Sequence, residues 1–122
     1  MSHLRVLLIE DDALIVLMLR ELLLEIGHEV CATAASEAAA VEAALRDPPD
    51  LVIADSRLQS GSGISAVAEI IRRRGHIPHL FLTGDGAEVL RLRPAAVVLR
   101  KPFRQSALVK AIQSALDAPA NP

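Results

Sequence analysis

The chain has 122 residues, of which 52% are hydrophobic and 23% charged, a balance typical of a folded globular protein and not of a disordered segment. This length suits one domain with one core, so we expect a single domain over residues 1–122, with a frayed tail from residue 117. The formal charge of −2 and the near absence of aromatic residues weigh against direct binding of nucleic acid. No apolar run is long enough to cross a membrane and no signal peptide opens the chain, so we expect a cytoplasmic protein without membrane contact.

The first half of the chain alternates between strand and helix patterns. Residues 4–9 are a short apolar run of the kind found in strands that are buried on both faces. Residues 12–26 show the apolar spacing of a helix, and Gly27 is a helix-stop signal. A second strand is predicted over residues 29–34, and the Ala-rich segment 36–46 predicts a second helix, which the following Asp-Pro-Pro ends.

The second half continues the alternation. Residues 51–55 predict a third buried strand, and a loop containing Gly and Ser separates it from a helix expected over about residues 64–74. The remaining predicted elements are a strand over 79–83, a short helix over 84–92, a strand over 95–99 and a closing helix over 104–117. Five strands alternating with five helices favour an α/β fold with a doubly wound parallel sheet.

Polar residues stand at the carboxyl ends of four of the five predicted strands. They are Glu10, Asp11 and Asp12 after the first strand, Asp55 at the end of the third, Thr83 at the end of the fourth, and Lys101 after the fifth. In an open parallel sheet the functional crevice lies beyond these ends. We therefore expect the six side chains to meet at one edge of the sheet.

The acidic residues point to a divalent cation. Carboxylates that converge without His or Cys suit a hard cation such as Mg²⁺, and Glu10 and Asp11 are the candidates at the first strand. Asp12 is better interpreted as the N-cap of the first helix. The four histidines show no metal-ligand spacing, so ordinary surface or loop positions are expected for them.

Asp55 is the candidate for the reacting group. A carboxylate at a strand end beside Mg²⁺ is a competent nucleophile toward a phosphoryl group, and the product is an acyl phosphate. The hydroxyl of Thr83 and the ammonium of Lys101 are available to neutralise the oxygens of the transferred group.

Four segments, IEDD, DLVIAD, FLTG and LRKPF, carry a family resemblance because they stand in this order at strand ends. Together they resemble the receiver domain of two-component response regulators, over essentially the whole chain. The resemblance implies a flavodoxin-like fold with strand order 2-1-3-4-5. It also implies transfer of a phosphoryl group from a sensor histidine kinase or a histidine phosphotransfer protein to Asp55. Such a domain is a signalling phosphoacceptor that catalyses only its own phosphorylation and dephosphorylation.

The resemblance also assigns roles to single residues. In the metal site, Asp11 and Asp55 would bind Mg²⁺ directly, Glu10 would act through water, and the backbone carbonyl of Arg57 would complete the set. Thr83 and Lys101 would read the phosphoryl state, and the Lys101–Pro102 peptide bond would be cis.

Three features depart from the usual receiver pattern. Val98 stands where receivers usually carry an aromatic residue, so the usual rotamer switch is not expected. Only 17 residues separate Thr83 from Lys101, so the fourth helix should be short. The segment FLTGDG resembles a receiver subgroup with a Phe-x-Thr-Gly-x-Gly signature, often single-domain and linked to stress signalling. In it, Gly84 leaves room for the attacking and leaving groups.

Output is expected through protein contacts, and no output domain is expected after the last predicted helix. The protein would dock on an unknown downstream protein, or serve as a phosphoryl shuttle or sink. Placing the first helix at 100° per residue puts Leu17 and Leu24 on a flank away from the core. We expect this flank to meet a helix of the kinase or phosphotransfer protein.

Two other functions remain open at the level of sequence. An aspartate-based Mg²⁺ phosphohydrolase also uses Asp, Thr and Lys at strand ends, but it usually needs an acid two residues after the nucleophile, where this chain has Arg57. A receiver-like binding module that works without phosphorylation is conceivable because of Val98 and the short fourth helix.

Overall fold

Strands and helices alternate without exception in the computed structural model, which describes residues 3–120. The strands are β1 (Arg5–Ile9), β2 (Glu29–Ala34), β3 (Leu51–Asp55), β4 (His79–Thr83) and β5 (Val98–Arg100). The helices are α1 (Ala13–Glu25), α2 (Glu37–Arg46), α3 (Gly63–Arg74), α4 (Gly86–Leu92) and α5 (Gln105–Asp117). Of the expected tail, Asp117 is still helical, and residues 121 and 122 lie outside the described part.

The five strands form one parallel sheet in the order β2-β1-β3-β4-β5, which confirms the predicted fold class. One face of the sheet is covered by α1 and α5, whose Leu19, Leu23 and Leu108 are fully buried. The other face is covered by α2, α3 and the short α4. Every residue of β3 is buried, as a central strand between two helical layers requires.

Side chains at the helix starts explain where the helices begin. Asp12 accepts a hydrogen bond from the backbone N–H of Leu14 and is the N-cap of α1, as predicted. Ser36 and Ser62 cap α2 and α3 in the same way. Within residues 3–120 no helix combines the length and the hydropathy that a membrane crossing needs.

The largest difference from the predicted elements lies at β5. We expected a strand over residues 95–99, but the strand is Val98–Arg100. Pro94 and Ala95 form a turn, closed by a 3.0 Å hydrogen bond from the N–H of Ala96 to the carbonyl of Arg93, so pairing with β4 begins later. Helix α4 ends at Leu92, before this turn, and has seven residues, which agrees with the predicted short fourth helix.

The expectation of surface or loop positions for the histidines is wrong at His79, which is the first residue of β4. His28 lies in the loop between α1 and β2, as expected, but it is not at the surface. This residue is buried, and its Nδ1 accepts a 3.1 Å hydrogen bond from the backbone N–H of Leu4. Leu4 lies just before β1 and His28 just before β2, so this hydrogen bond connects the starts of the two strands. Burial lowers the pKa of His28, because the charged imidazolium would lose its hydration.

Candidate functional site

The carboxyl edge of the sheet carries a cluster of buried polar side chains. Glu10, Asp55 and Thr83 follow or end β1, β3 and β4, and at most 7% of each is exposed. Lys101 follows β5 and is partly buried beside them. The structure therefore brings together the side chains that the sequence placed at separate strand ends.

Lys101 reaches across the cluster to two carboxylates. Its Nζ donates to Oδ2 of Asp55 at 2.5 Å and to Oε1 of Glu10 at 3.4 Å. Burial lowers the pKa of Lys101, but the hydrogen bonds and negative charges of Asp55 and Glu10 outweigh it, so the net direction is upward. The ammonium therefore stays charged and offsets the repulsion between the two acids.

Glu10 is the most deeply buried acid of the cluster. Its Oε2 accepts the backbone N–H groups of Asp11 and Asp12 at 3.0 and 3.1 Å. Burial raises the pKa of Glu10 to about 7; the N–H of Asp12 opposes the rise, and the adjacent Asp55 adds to it. A cation bound near this carboxylate, in addition to Lys101, would lower the pKa of Glu10 again.

Glu10, Asp11 and Asp55 form a set that fits a hard cation. One carboxylate oxygen from each lies within 4.8 Å of the others. Asp11 is oriented by the backbone N–H of Gln59, which donates to its Oδ2 at 2.7 Å. Three oxygen donors with no nitrogen or sulfur ligand suit Mg²⁺, which keeps several waters and takes few protein ligands.

Thr83 is held by two neighbours that the sequence did not single out for this purpose. The hydroxyl of Ser56 donates to Oγ1 of Thr83 at 3.0 Å, and the N–H of Asp85 donates to the same oxygen at 3.0 Å. The Thr83 hydroxyl lies 3.2 Å from the carbonyl of Asp85, to which it donates. These contacts fix the hydroxyl at the wall of a cavity of about 350 Å³. The cavity is lined by Asp55, Ser56, Arg57, Thr83, Gly84, Asp85 and Lys101.

Arg57 is one of the residues that line this cavity. Its backbone N–H donates to Oδ1 of Asp55 at 3.0 Å, while its guanidinium forms an ion pair with Glu88 of α4. The sequence pointed only to the backbone carbonyl of Arg57 and gave no reason to select Glu88. Since residues 57 and 88 are far apart in the chain, no local pattern links them.

A close approach of backbone at Gly63 was also missed. A Cβ added at Gly63 would lie 1.9 Å from the carbonyl oxygen of Asp55, so only glycine fits at the start of α3. Gly84 is different, because an added Cβ would meet nothing within 4 Å. The space at Gly84 opens into the cavity.

The two remaining predicted residues lie on either side of Lys101. The Lys101–Pro102 peptide bond is cis. Val98 is half-buried and packs against the core layer that includes Phe81 and Val89. No ring is available at position 98 to turn inward, so the region between α4 and β5 is filled by aliphatic side chains.

A five-stranded parallel sheet of this order, with an acidic trio, a hydroxyl and a lysine at its carboxyl edge, is the architecture of the receiver class of signalling domains. The profile of the response regulator receiver domain matches residues 6–113, and the chain belongs to this family. Receiver domains bind Mg²⁺ at an acidic pocket, and the cluster of Glu10, Asp11 and Asp55 provides one here.

Individual relatives agree with this assignment. The chain is 40% identical to the transcriptional regulatory protein PdtaR of Mycobacterium tuberculosis, over 93% of this chain and 57% of PdtaR, so it spans little more than half of that relative. It is 31% identical to the chemotaxis protein CheY of Bacillus subtilis, over 96% of this chain and the full length of CheY. The solution structure of the receiver domain of Erythrobacter litoralis PhyR superposes with a TM-score of 0.83, at 35% identity, covering 98% of this chain and 97% of that domain.

Proposed function

We propose that this protein is a phosphoacceptor whose Asp55 takes a phosphoryl group from a phosphohistidine. The donor would be a sensor histidine kinase or a histidine phosphotransfer protein. The observation that carries the proposal is the 2.5 Å contact between Lys101 Nζ and Oδ2 of Asp55, beside the acidic trio. This arrangement places the buried Asp55 carboxylate beside the ammonium of Lys101 and within a set of oxygen ligands for Mg²⁺. Both cations can neutralise the oxygens of a phosphoryl group.

The proposed reaction exchanges one phosphorus bond for another. An oxygen of the Asp55 carboxylate attacks phosphorus, the bond from phosphorus to the donor imidazole nitrogen breaks, and the imidazole takes up a proton. The product is an acyl phosphate on Asp55. Mg²⁺, when bound by the acidic trio, supplies positive charge to the phosphoryl oxygens. A carboxylate nucleophile has no proton to lose during the attack, so the reaction needs no general base at Asp55.

The residues around Asp55 have separate tasks in this proposal. Lys101 leaves its contact with Oδ2 and pairs with an oxygen of the arriving group. Thr83 turns its hydroxyl hydrogen away from the carbonyl of Asp85 and donates it to another oxygen. Gly84 leaves the approach to phosphorus open because it carries no side chain. Lys101 and Thr83 gain their contacts with phosphoryl oxygens only when the phosphoryl group is present.

We propose that the protein acts in the cytoplasm and signals by protein contacts, either by docking on a downstream protein or as a phosphoryl shuttle or sink. The donor would meet the exposed flank of α1, where Leu17 and Leu24 are 55% and 73% exposed. Leu14, one turn nearer the acidic residues that follow β1, and Met18 are also exposed on this helix. A helix of the donor placed there would bring its histidine close to the carboxyl edge of the sheet.

The geometry favours a phosphoacceptor over a phosphohydrolase. A hydrolase needs an acid near the leaving group, but position 57 holds an arginine whose guanidinium is paired with Glu88. A module that works without phosphorylation is the second candidate, since Val98 removes the usual aromatic switch. The intact set of Asp11, Asp55, Thr83 and Lys101 weighs against it.

The test is mass spectrometry after treatment with acetyl phosphate and Mg²⁺. We expect one phosphoryl adduct on the native protein and none on Asp55→Asn. Asp50→Asn is the matched control, because Asp50 lies outside the site and accepts the backbone N–H of Arg5. An adduct of equal yield on Asp55→Asn, or none on the native protein, would reject the proposal, and rapid turnover of phosphomonoesters would favour a hydrolase.

A further inference from the structure

A second cluster of nitrogen-bearing side chains lies at the amino edge of the sheet, opposite the Asp55 site. His79 begins β4, His76 lies in the loop before it, and Arg93 follows α4. These three residues line a cavity of about 250 Å³. The other lining residues are Pro94, Ala95, Ala96, Ala118 and Pro119, so small apolar side chains complete the wall. We refer to it as the histidine–arginine cavity.

The ring of His79 is fixed by its hydrogen bonds. Its Nδ1 lies 2.8 Å from the carbonyl of Ile77, and because a carbonyl can only accept, Nδ1 carries the hydrogen. In the neutral ring Nε2 is then an acceptor, and it faces Nη2 of Arg93 at 3.5 Å. Burial lowers the pKa of His79; the hydrogen bond to Ile77 opposes this, and the charges of Arg93 and His76 lower the pKa further.

Among the described residues, Arg93 lacks the carboxylate partner that several other arginines of this protein have. Arg5 is paired with Asp47 and Arg57 with Glu88, but no acidic oxygen of residues 3–120 lies within 4.0 Å of the Arg93 guanidinium. Its contact with His79 is long for a hydrogen bond. Arg93 is half-buried, and its guanidinium carries five N–H donors but has only the neutral ring of His79 nearby. Several of these donors are therefore available to hydrogen-bond an anion.

His76 provides a second polar group without a hydrogen-bond partner among the described residues. Its Nδ1 is buried and has no hydrogen-bond partner among the described residues. The ring centroids of His76 and His79 are 6.1 Å apart, so both imidazoles border the same space. Buried polar nitrogens are nearly always paired, and this one therefore calls for a ligand or a water molecule in the cavity.

We propose that the histidine–arginine cavity binds a small oxyanion, carrying a carboxylate or phosphate group, with Arg93 as the main donor. The positive guanidinium and the lack of acidic lining residues make the cavity unsuitable for Mg²⁺ or Ca²⁺, which need oxygen ligands. The Pro and Ala walls accommodate a short apolar body next to the anionic group. At about 250 Å³ the cavity is smaller than the usual range for drug-sized ligands, so the occupant has to be small. The proposal does not depend on phosphorylation at Asp55.

The four histidines provide the readout, since imidazole NMR signals can be followed one by one. The probes are inorganic phosphate and benzoate, which share an oxyanion but differ in having an apolar body. We expect one or both to shift the signals of His76 and His79 in a saturable manner, while His3 and His28, on the other side of the molecule, stay in place. The probe that binds identifies the ligand class, and either result supports the proposal.

Two variants test the role of Arg93. Arg93→Gln should weaken binding at least about five-fold, because a charge-assisted hydrogen bond is lost. Arg91→Gln, a matched change of an exposed arginine in α4, should leave binding unchanged. Arg93→Lys keeps the charge without the planar fork and should fall between them. Backbone amide signals of β1 and β3 verify that each variant is folded.

Three outcomes would overturn the proposal. The first is no shift of His76 and His79 with either probe up to about 50 mM, a limit that excludes even very weak binding. The second is an equal shift in Arg93→Gln. The third is a shift of His3 and His28 in parallel with the other two, which indicates a general salt effect.

Discussion

The guanidinium of Arg57, a residue that lines the Asp55 cavity, forms an ion pair with the carboxylate of Glu88. Arg57 lies two residues after Asp55, and Glu88 lies in the first turn of α4. The pair therefore links the loop that follows the proposed phosphoacceptor to α4, the helix that precedes β5. A phosphoryl group on Asp55 would compete with Glu88 for the guanidinium, because phosphate oxygens are strong partners for arginine.

The first prediction concerns this competition. Glu88→Gln releases Arg57, which can then pair with the phosphoryl group, so the half-life of phosphorylated Asp55 should increase by roughly two- to five-fold, the range expected for an exposed ion pair. The decay is measured after acetyl phosphate is removed. Glu42→Gln breaks the exposed pair with Arg46 on α2 and is the control. Equal half-lives in Glu88→Gln and the native protein would show that Arg57 does not reach the phosphoryl group.

The second prediction concerns the close approach at Gly63. Gly63→Ala places a Cβ at 1.9 Å from the carbonyl of Asp55, so α3 or the end of β3 has to move. We expect a loss of about 1–3 kcal/mol in the free energy of unfolding, as for other overpacked positions, together with slower phosphorylation by acetyl phosphate. Denaturant unfolding measures the first effect. Gly84→Ala has open space around its Cβ and should change stability by less than about 0.5 kcal/mol.

The strands and helices were largely predictable because their signals are local. The apolar runs of β1 and β3 and the capping residue Asp12 are visible in the sequence, and the structure agrees to within a residue or two. Prediction failed at β5, where the start depends on a turn at Pro94 and on the register with β4. That register is a tertiary property, which no short window of sequence contains.

The site was predictable only where residues stand at strand ends. Asp55 and Lys101 are 46 residues apart, yet the parallel topology brings both to one edge. Ser56 and Glu88 were not selected, since their roles depend on side-chain contacts with Thr83 and Arg57. Gly63 was read only as part of a flexible loop, because a close backbone approach leaves no signal beyond the glycine itself.

The third prediction concerns pH in the absence of metal. The pKa of Glu10 is raised from its usual 4.5 to about 7, so between these values the unfolded state loses a proton that the folded state keeps. The stability that this group contributes is present at low pH and is lost as the pH rises toward about 7. Relative to Glu10→Gln, the native protein in EDTA should lose about 1–3 kcal/mol between pH 4.5 and 7.5.

Denaturant unfolding at several pH values gives this difference directly. Mg²⁺ should reduce the loss, because a cation at the acidic trio favours the ionised form of Glu10. The added stability from Mg²⁺ is then larger at pH 7.5 than at pH 5. A native-minus-variant difference that stays flat from pH 4.5 to 7.5 in EDTA would contradict the shifted pKa.

The fourth prediction tests the exposed flank of α1 as the donor surface. Leu17 is 55% exposed and lies on the outer side of the helix, so Leu17→Glu should not disturb the core. A buried charge at an interface with the donor is costly, and we expect phosphorylation by a phosphohistidine donor to slow by roughly five- to tenfold. Phosphorylation by acetyl phosphate should not change, because the small donor does not contact α1.

The matched control for this flank is Leu92→Glu, which changes a leucine that is 60% exposed on α4, in the other helical layer. If α1 is the donor surface, Leu92→Glu accepts phosphoryl groups from both donors at native rates. Leu24→Glu, further along the same flank, should show a smaller defect than Leu17→Glu, since Leu24 lies farther from the carboxyl edge that carries Asp55. Equal slowing by Leu17→Glu and Leu92→Glu would place the donor elsewhere, and slowing with acetyl phosphate would indicate damage to the site itself.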